Sequence, residues 1–288
     1  MFQHDLLAGK RIFITGGGTG LGFSMAKRFV ELGGSVFICG RRSEILEKAC
    51  QDLRSKLPSE TKQKIDFQIC DVRDAQAVEV AVSNLWNEGP LDILVNNAAG
   101  NFISKFEDLS PRAVDSVLNI VLHGTAYATM ACGKRWIAQS HPGVVLNIVT
   151  TYAQTGSAFV VPSAMAKAGV LALTRSLAVE WGGKGIRLNA IAPGPFPTEG
   201  AWERLLPRSD LAKKLELKNP LKRFGTHEEL GNLASFLVSD FAGYINGECV
   251  TIDGGEWLQG AGEFNFLSEM TDEDWAAMKP QKPVPRSE

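Results

Sequence analysis

The sequence predicts a single α/β domain built on a doubly wound parallel sheet. Two observations carry that expectation. Short apolar, β-branched runs recur along the chain, separated by stretches with helical spacing. A glycine-rich turn joins the first run to the first helix.

The runs are residues 11–15 (RIFIT), 35–40 (SVFICG), 66–71 (DFQICD), 93–98 (ILVNNA), 144–150 (VVLNIVT), 186–193 (IRLNAIAP) and 249–253 (CVTID). Most are apolar throughout rather than alternating, as suits strands covered on both faces. After Gly22, the residues Met25, Phe29 and Leu32 fall on one helical face, and Gly33-Gly34 supply a stop. Residues 165–181 are rich in Ala and Leu and read as a second long helix. The expected domain covers residues 1–259. Within it, residues 195–225 break the rhythm with four prolines around a charged stretch. Following a strand, this excursion reads as a substrate-covering segment; the alternative is a surface insertion without function. Residues 260–288 form a tail. Thr271 to Asp274 resemble a capping box that opens a short helix, and the last ten residues read as disordered. Phe264, Phe266, Leu267 and Trp275 are apolar enough to dock, on this domain or on a neighbouring subunit.

Composition narrows the function classes. Of 288 residues, 44% are hydrophobic and 22% charged, which is ordinary for a globular protein. Thirty Lys+Arg against 32 Asp+Glu leave a net charge of −2, so the basic footprint of a nucleic-acid binder is missing. No run of about 18 apolar residues suggests a membrane span. Five cysteines form no CxxC pair, and four histidines have no metal-ligand spacing, so neither a disulfide framework nor a metal is expected. The first residues lack signal-peptide or transit-peptide character, and Arg286-Ser287-Glu288 is no peroxisomal address, so a cytoplasmic protein is expected.

The turn Thr15-Gly16-Gly17-Gly18-Thr19-Gly20-Leu21-Gly22 follows a strand and opens a helix. Glycines let the backbone approach a pyrophosphate, whose charge suits the helix N-terminus. An acidic residue about 20 positions further on would hold the ribose 2′-hydroxyl of NAD. Here the second strand ends in Gly40-Arg41-Arg42. Arginine forks suit a 2′-phosphate, so NADP(H) is the expected cofactor; the plainer reading makes both arginines solvated charges at a helix start.

TGGGTGLG at 15–22, Asp71 after the third strand, NNAAG at 96–100 and PGP at 193–195 resemble the short-chain dehydrogenase/reductase superfamily over residues 8–256. The resemblance implies one Rossmann-type domain with about seven parallel strands, often as a homotetramer. It implies cofactor contacts from Gly16, Thr19, Gly20, Leu21, Gly22, Asp71, Asn97, Ala98 and Lys167, with Pro193, Gly194 and Thr198 lining the nicotinamide and phosphate region. Usual members carry Tyr-x-x-x-Lys. In this chain Lys167 is in place but Ser163 stands where the tyrosine would be. Thr150 and Val121 occupy the usual serine and asparagine positions. A serine hydroxyl is far less acidic than a phenol of pKa about 10, so it cannot simply replace the tyrosine as proton donor.

The chain has three tyrosines. Tyr127 falls mid-helix and Tyr244 near the last strand. Tyr152 alone lies just past the C-terminal end of a central strand, where this fold places its chemistry. Residues 152–167, with Ala98 to Phe102 upstream, are similar to the mitochondrial type of 2,4-dienoyl-CoA reductase. That similarity implies an active site of Asn101, Tyr152, Ser163 and Lys167, an NADPH cofactor and an acyl-CoA substrate. It also implies a 3-enoyl-CoA product and a place in unsaturated fatty acid oxidation. Plainer roles exist for three of them: a turn cap for Asn101, packing for Tyr152 and a helix N-cap for Ser163. Phe102, Ser157 and Phe159 are candidates for the acyl channel or for core. Two other functions stand beside it. One is a trans-2-enoyl-CoA or other enone reductase of the same superfamily, which shares the need to stabilise an enolate and which the sequence separates poorly. The other is a cofactor-sensing protein without catalysis, against which the coherent set of four site residues argues.

Overall fold

The computed structural model describes residues 3–55, 57, 61–198 and 209–278. Seven strands form one parallel sheet in the order β3-β2-β1-β4-β5-β6-β7. They are β1 (Arg11–Thr15), β2 (Ser35–Gly40), β3 (Ile65–Ile69), β4 (Ile93–Asn96), β5 (Gly143–Ile148), β6 (Ile186–Pro193) and β7 (Cys249–Ile252). The order reverses between β1 and β4, which opens a crevice at the carboxyl ends of the strands.

Helices cover both faces. One face packs α1 (Gly20–Glu31), α2 (Ser43–Arg54) and α9 (His227–Val238), burying Met25, Phe29, Leu46, Cys50, Leu230 and Leu237. The other packs α3 (Ala75–Asn87), α5 (Gly124–Gln139) and α7 (Val161–Gly182), burying Val78, Leu85, Trp136 and Trp181. Double burial explains the continuously apolar strands. The remaining helices are α4 (Pro111–Leu118), the single-turn α6 (Tyr152–Thr155), α8 (Ser209–Lys218), α10 (Glu256–Ala261) and α11 (Asp272–Ala277). No helix among the described residues is long and apolar enough to cross a membrane. The five cysteines are free and buried.

Four strands stop short of the apolar runs that predict them, β7 by the single residue Asp253. β4 ends at Asn96 rather than Ala98 because the Asn97 and Ala98 N–H groups both turn to Thr15 Oγ1, each at 3.1 Å. β3 ends at Ile69 and β5 at Ile148, where the chain bends into the crevice. α4 runs into a π-turn over Asn119–His123, with Val121 buried inside it.

The predicted capping box of the tail is present: Thr271 and Asp274 exchange bonds and open α11. Phe264, Phe266 and Trp275 stay exposed on the single chain. The expectation of disorder over the last ten residues lies outside the described residues.

Candidate active site

Two hollows lie along the carboxyl edge of the sheet. The first, of about 270 Å³, is bordered by the glycine turn, Arg41, Arg42, Asp71, Asn97 and Ala98. The second, of about 650 Å³, has Thr150, Tyr152 and Ser157 on one wall and Pro193, Gly194, Phe196 and Thr198 at its base. Leu215 and Lys218 of α8 and Glu256 and Trp257 of α10 close its far side.

The glycine turn is shaped by close approach. Gly16 adopts φ +66°, and a Cβ there would lie 2.9 Å from Ala98 Cα. A Cβ on Gly22 would run into the Gly16 carbonyl oxygen and lie 2.5 Å from Asn97 Nδ2. The Asn97 amide donates to the Thr15 and Gly16 carbonyls at 3.2 and 3.1 Å. Asn97 thus braces the turn with its side chain. Thr19 is the N-cap of α1, and its side chain makes no capping bond. Leu21 packs towards the core, which leaves its backbone N–H at the helix N-terminus. These features suit a dinucleotide: unpaired N–H groups at a helix start, two arginines on the rim and a hollow between them. Arg73 binds Asp71 through Nε at 3.0 Å, and this bond, with Arg41 adding a smaller attraction, holds the carboxyl below its usual range.

Tyr152 and Ser163 meet. Their hydroxyl oxygens are 3.1 Å apart, joining α6 to α7. Ser163 is not the N-cap of α7; Val160 is, and Ser163 sits in the first turn, 3% exposed. One turn further on, Lys167 is 6% exposed and its Nζ donates to the Ile148 carbonyl at 2.5 Å. Burial pushes its ammonium down to about 8. The loop carrying Asn101 is tied to the loop before α7 by a bond from Ser104 N–H to the Phe159 carbonyl, 3.0 Å. Asn101 Oδ1 accepts from Phe102 N–H at 2.9 Å, and the amide NH₂ is by its chemistry a donor. Phe102 packs against the cluster of Val117, Val121 and Ala166, while Phe159 is exposed. Thr150 Oγ1 is buried without a hydrogen-bond partner.

Tyr127 is half-buried on α5 and Tyr244 fully exposed. Only Tyr152 borders the larger cleft.

The model of the family described as enoyl-(acyl carrier protein) reductase matches residues 16–256. The chain belongs to the short-chain dehydrogenase/reductase family. A protein of Bacillus subtilis named probable 2,4-dienoyl-CoA reductase [(2E)-enoyl-CoA-producing] is 47% identical over 251 residues, 86% of this chain and 97% of that protein. A Caenorhabditis elegans protein named probable 2,4-dienoyl-CoA reductase 3 [(3E)-enoyl-CoA-producing] is 41% identical over 282 residues, 94% of this chain and 86% of its own. Among solved structures, a short chain dehydrogenase from Bacillus anthracis superposes with a TM-score of 0.77 at 44% identity, covering 86% of this chain and 96% of that one. A gluconate 5-dehydrogenase from Burkholderia cenocepacia, in complex with NADP and tartrate, superposes with a TM-score of 0.80 at 28% identity, covering 88% and 97%.

Members of this family share the fold and a nicotinamide cofactor. Glu256 and Trp257, which close the cleft, escaped the sequence reading. Their position just beyond β7, on the carboxyl edge of the sheet, is the signal that could have found them.

Proposed function

We propose that this enzyme reduces a 2,4-dienoyl-CoA to a 3-enoyl-CoA with NADPH. The observation that carries the reading is the Tyr152–Ser163 hydroxyl pair at 3.1 Å on the rim of a 650 Å³ cleft, with Lys167 one turn beyond. The identities of 47% and 41% to proteins named as such reductases support the substrate class. NADP in the Burkholderia structure, with Arg41 and Arg42 on the rim of the smaller hollow, supports NADPH.

When bound, the reduced nicotinamide supplies a hydride to the far carbon of the diene. Negative charge then gathers on the thioester oxygen. Tyr152 O–H and the Asn101 amide donate to that oxygen, as oxyanion-hole donors do. Ser163 O–H donates in turn to Tyr152 Oη, which polarises the phenol. The Lys167 ammonium adds positive potential and binds the nicotinamide ribose. The dienolate takes a proton from water held in the cleft. Protonation next to the thioester carbon gives the 3-enoyl product, and the hydroxide left behind takes a proton from solvent, so that one proton is consumed for each NADPH oxidised. No carbonyl becomes an alcohol, so the acid at the usual tyrosine position is dispensable.

A second reading has the proton added two carbons further on, giving a 2-enoyl-CoA. The product in the name of the Bacillus subtilis relative favours it. NMR of the product from 2,4-hexadienoyl-CoA separates the two by the place of the remaining double bond.

The same reading makes α8 a cover for the acyl chain, through Leu215 and Lys218. It places the enzyme in the cytoplasm as a homotetramer acting in unsaturated fatty acid oxidation. Exposed Met130 and Ile137 on α5 support an assembly, and sedimentation of the purified chain tests it. The function is tested by following NADPH loss with 2,4-hexadienoyl-CoA, crotonyl-CoA and a simple ketone in separate cuvettes. Turnover of the dienoyl thioester ahead of the other two is expected. Turnover of the ketone alone overturns the reading.

A further inference from the structure

The stretch after β6 is fastened at three points. Gly194 N–H donates to the Ile252 carbonyl at 3.0 Å, and Gly225 N–H donates to the Pro195 carbonyl at 3.1 Å. The third fastening is His227, whose Nε2 lies 2.7 Å from the Pro197 carbonyl. His227 is the first residue of α9, and the Thr226–Glu229 capping box, bound in turn by Arg223, fixes where that helix begins.

The other ring nitrogen faces α1, just beyond the glycine turn. His227 Nδ1 lies 2.6 Å from Ser24 Oγ, in the second turn of α1. A carbonyl can only accept, so Nε2 carries the hydrogen towards Pro197. In the neutral ring Nδ1 is then an acceptor, and the Ser24 hydroxyl is the matching donor. The Gly20 carbonyl, 3.0 Å from Ser24 Oγ, is a second acceptor for the same single hydroxyl hydrogen, which the shorter contact directs to Nδ1. One imidazole therefore spans two segments that are far apart in sequence. The consequence falls on Thr198. Its Cγ2 is held 3.5 Å from where a Cβ on Gly20 would be. Gly18, Thr19, Gly20, Arg42, Thr198 and His227 all border one groove.

We propose that His227 is a positioning residue for the cofactor: its ring holds Pro197 and Thr198 against the first turn of α1, so that both sides of the pyrophosphate site keep their spacing. This rests on the reading that a nicotinamide dinucleotide lies on the glycine turn. A merely structural histidine would lower thermal stability without a particular effect on the dinucleotide.

The test is a fluorescence titration of the full-length protein with NADPH. It compares wild type, His227→Ala, Ser24→Ala, the double variant and His227→Gln. Each single alanine variant is expected to raise the NADPH Kd about tenfold, the scale of one lost hydrogen bond. The double variant is expected to be no worse than His227→Ala, because both remove the same link. His227→Gln, which keeps an amide donor, is expected to recover part of the loss. kcat at saturating NADPH is expected to stay within about threefold, so the change appears in KM. Unchanged Kd in both single variants overturns the proposal, as does a double variant whose two losses multiply. Should His227→Ala fail to fold, Ser24→Ala, which removes one oxygen, decides alone. A wild-type protein that binds no NADPH overturns the cofactor reading itself, which the variants do not address.

Discussion

Tyr152 Oη and Ser163 Oγ lie 3.1 Å apart, eleven residues from one another in sequence and on different helices. On the proposed reading, Ser163 stands at the family's usual tyrosine position and partners a displaced tyrosine. Removing the partner should cost less than removing the phenol. Ser163→Ala is expected to lower kcat about tenfold, the scale of one lost hydrogen bond, with little change in Tm, because Val160 rather than Ser163 caps α7. Steady-state kinetics and a thermal melt check both halves. An unchanged kcat would reduce Ser163 to a packing residue.

Lys167 gives the expected pH dependence. Its ammonium titrates near 8 in the folded chain, below the ordinary 10.5, because burial disfavours the charge. Above pH about 8 the positive potential is lost, so kcat/KM for NADPH should fall on the alkaline side. Lys167→Met should lower activity and flatten that limb. Stability should move the other way. Between about 8 and 10.5 the unfolded chain keeps a proton that the folded chain has released, so this group's contribution to stability rises with pH. Denaturant melts of wild type and Lys167→Met across that range measure it.

Arg41 and Arg42 should decide the cofactor. Both border the smaller hollow beside Asp71, which is already engaged by Arg73. Arg41→Asp is expected to shift the NADPH:NADH preference by about ten- to a hundredfold, the range of a hydrogen bond to a charged group. Ratios of kcat/KM with the two cofactors report it. An unmoved ratio would leave the arginines as solvated charges.

Gly22→Ala should abolish dinucleotide binding. The added methyl meets the Gly16 carbonyl and the Asn97 amide, which brace the turn and have little room to give. Loss of NADPH binding in a titration, with a lower Tm, is the expected pair of results.

Much of the fold was legible because its signals are local. Strands buried on both faces read as apolar runs, and the run at residues 186–193 matches β6 end to end. Strand ends were less legible. β4 stops where Asn97 and Ala98 bond to Thr15, a contact across 82 and 83 residues that no local pattern carries. The tyrosine count pointed to Tyr152, because its place just past a central strand was legible, with Tyr127 mid-helix and Tyr244 near the last strand; that Tyr244 is fully exposed was not. The far wall of the cleft was not legible. Glu256 and Trp257 reach Tyr152's cleft only through the position of β7 at the sheet edge. The link from His227 to Ser24 spans 203 residues and follows from the packing of α9 on α1.

The most direct measurement is the rate of NADPH oxidation with 2,4-hexadienoyl-CoA by wild type and Tyr152→Phe, alongside NADPH Kd for both. The account predicts turnover by wild type and a loss of about 100–1000-fold in kcat for the variant, with Kd unchanged. Full activity in Tyr152→Phe would contradict it.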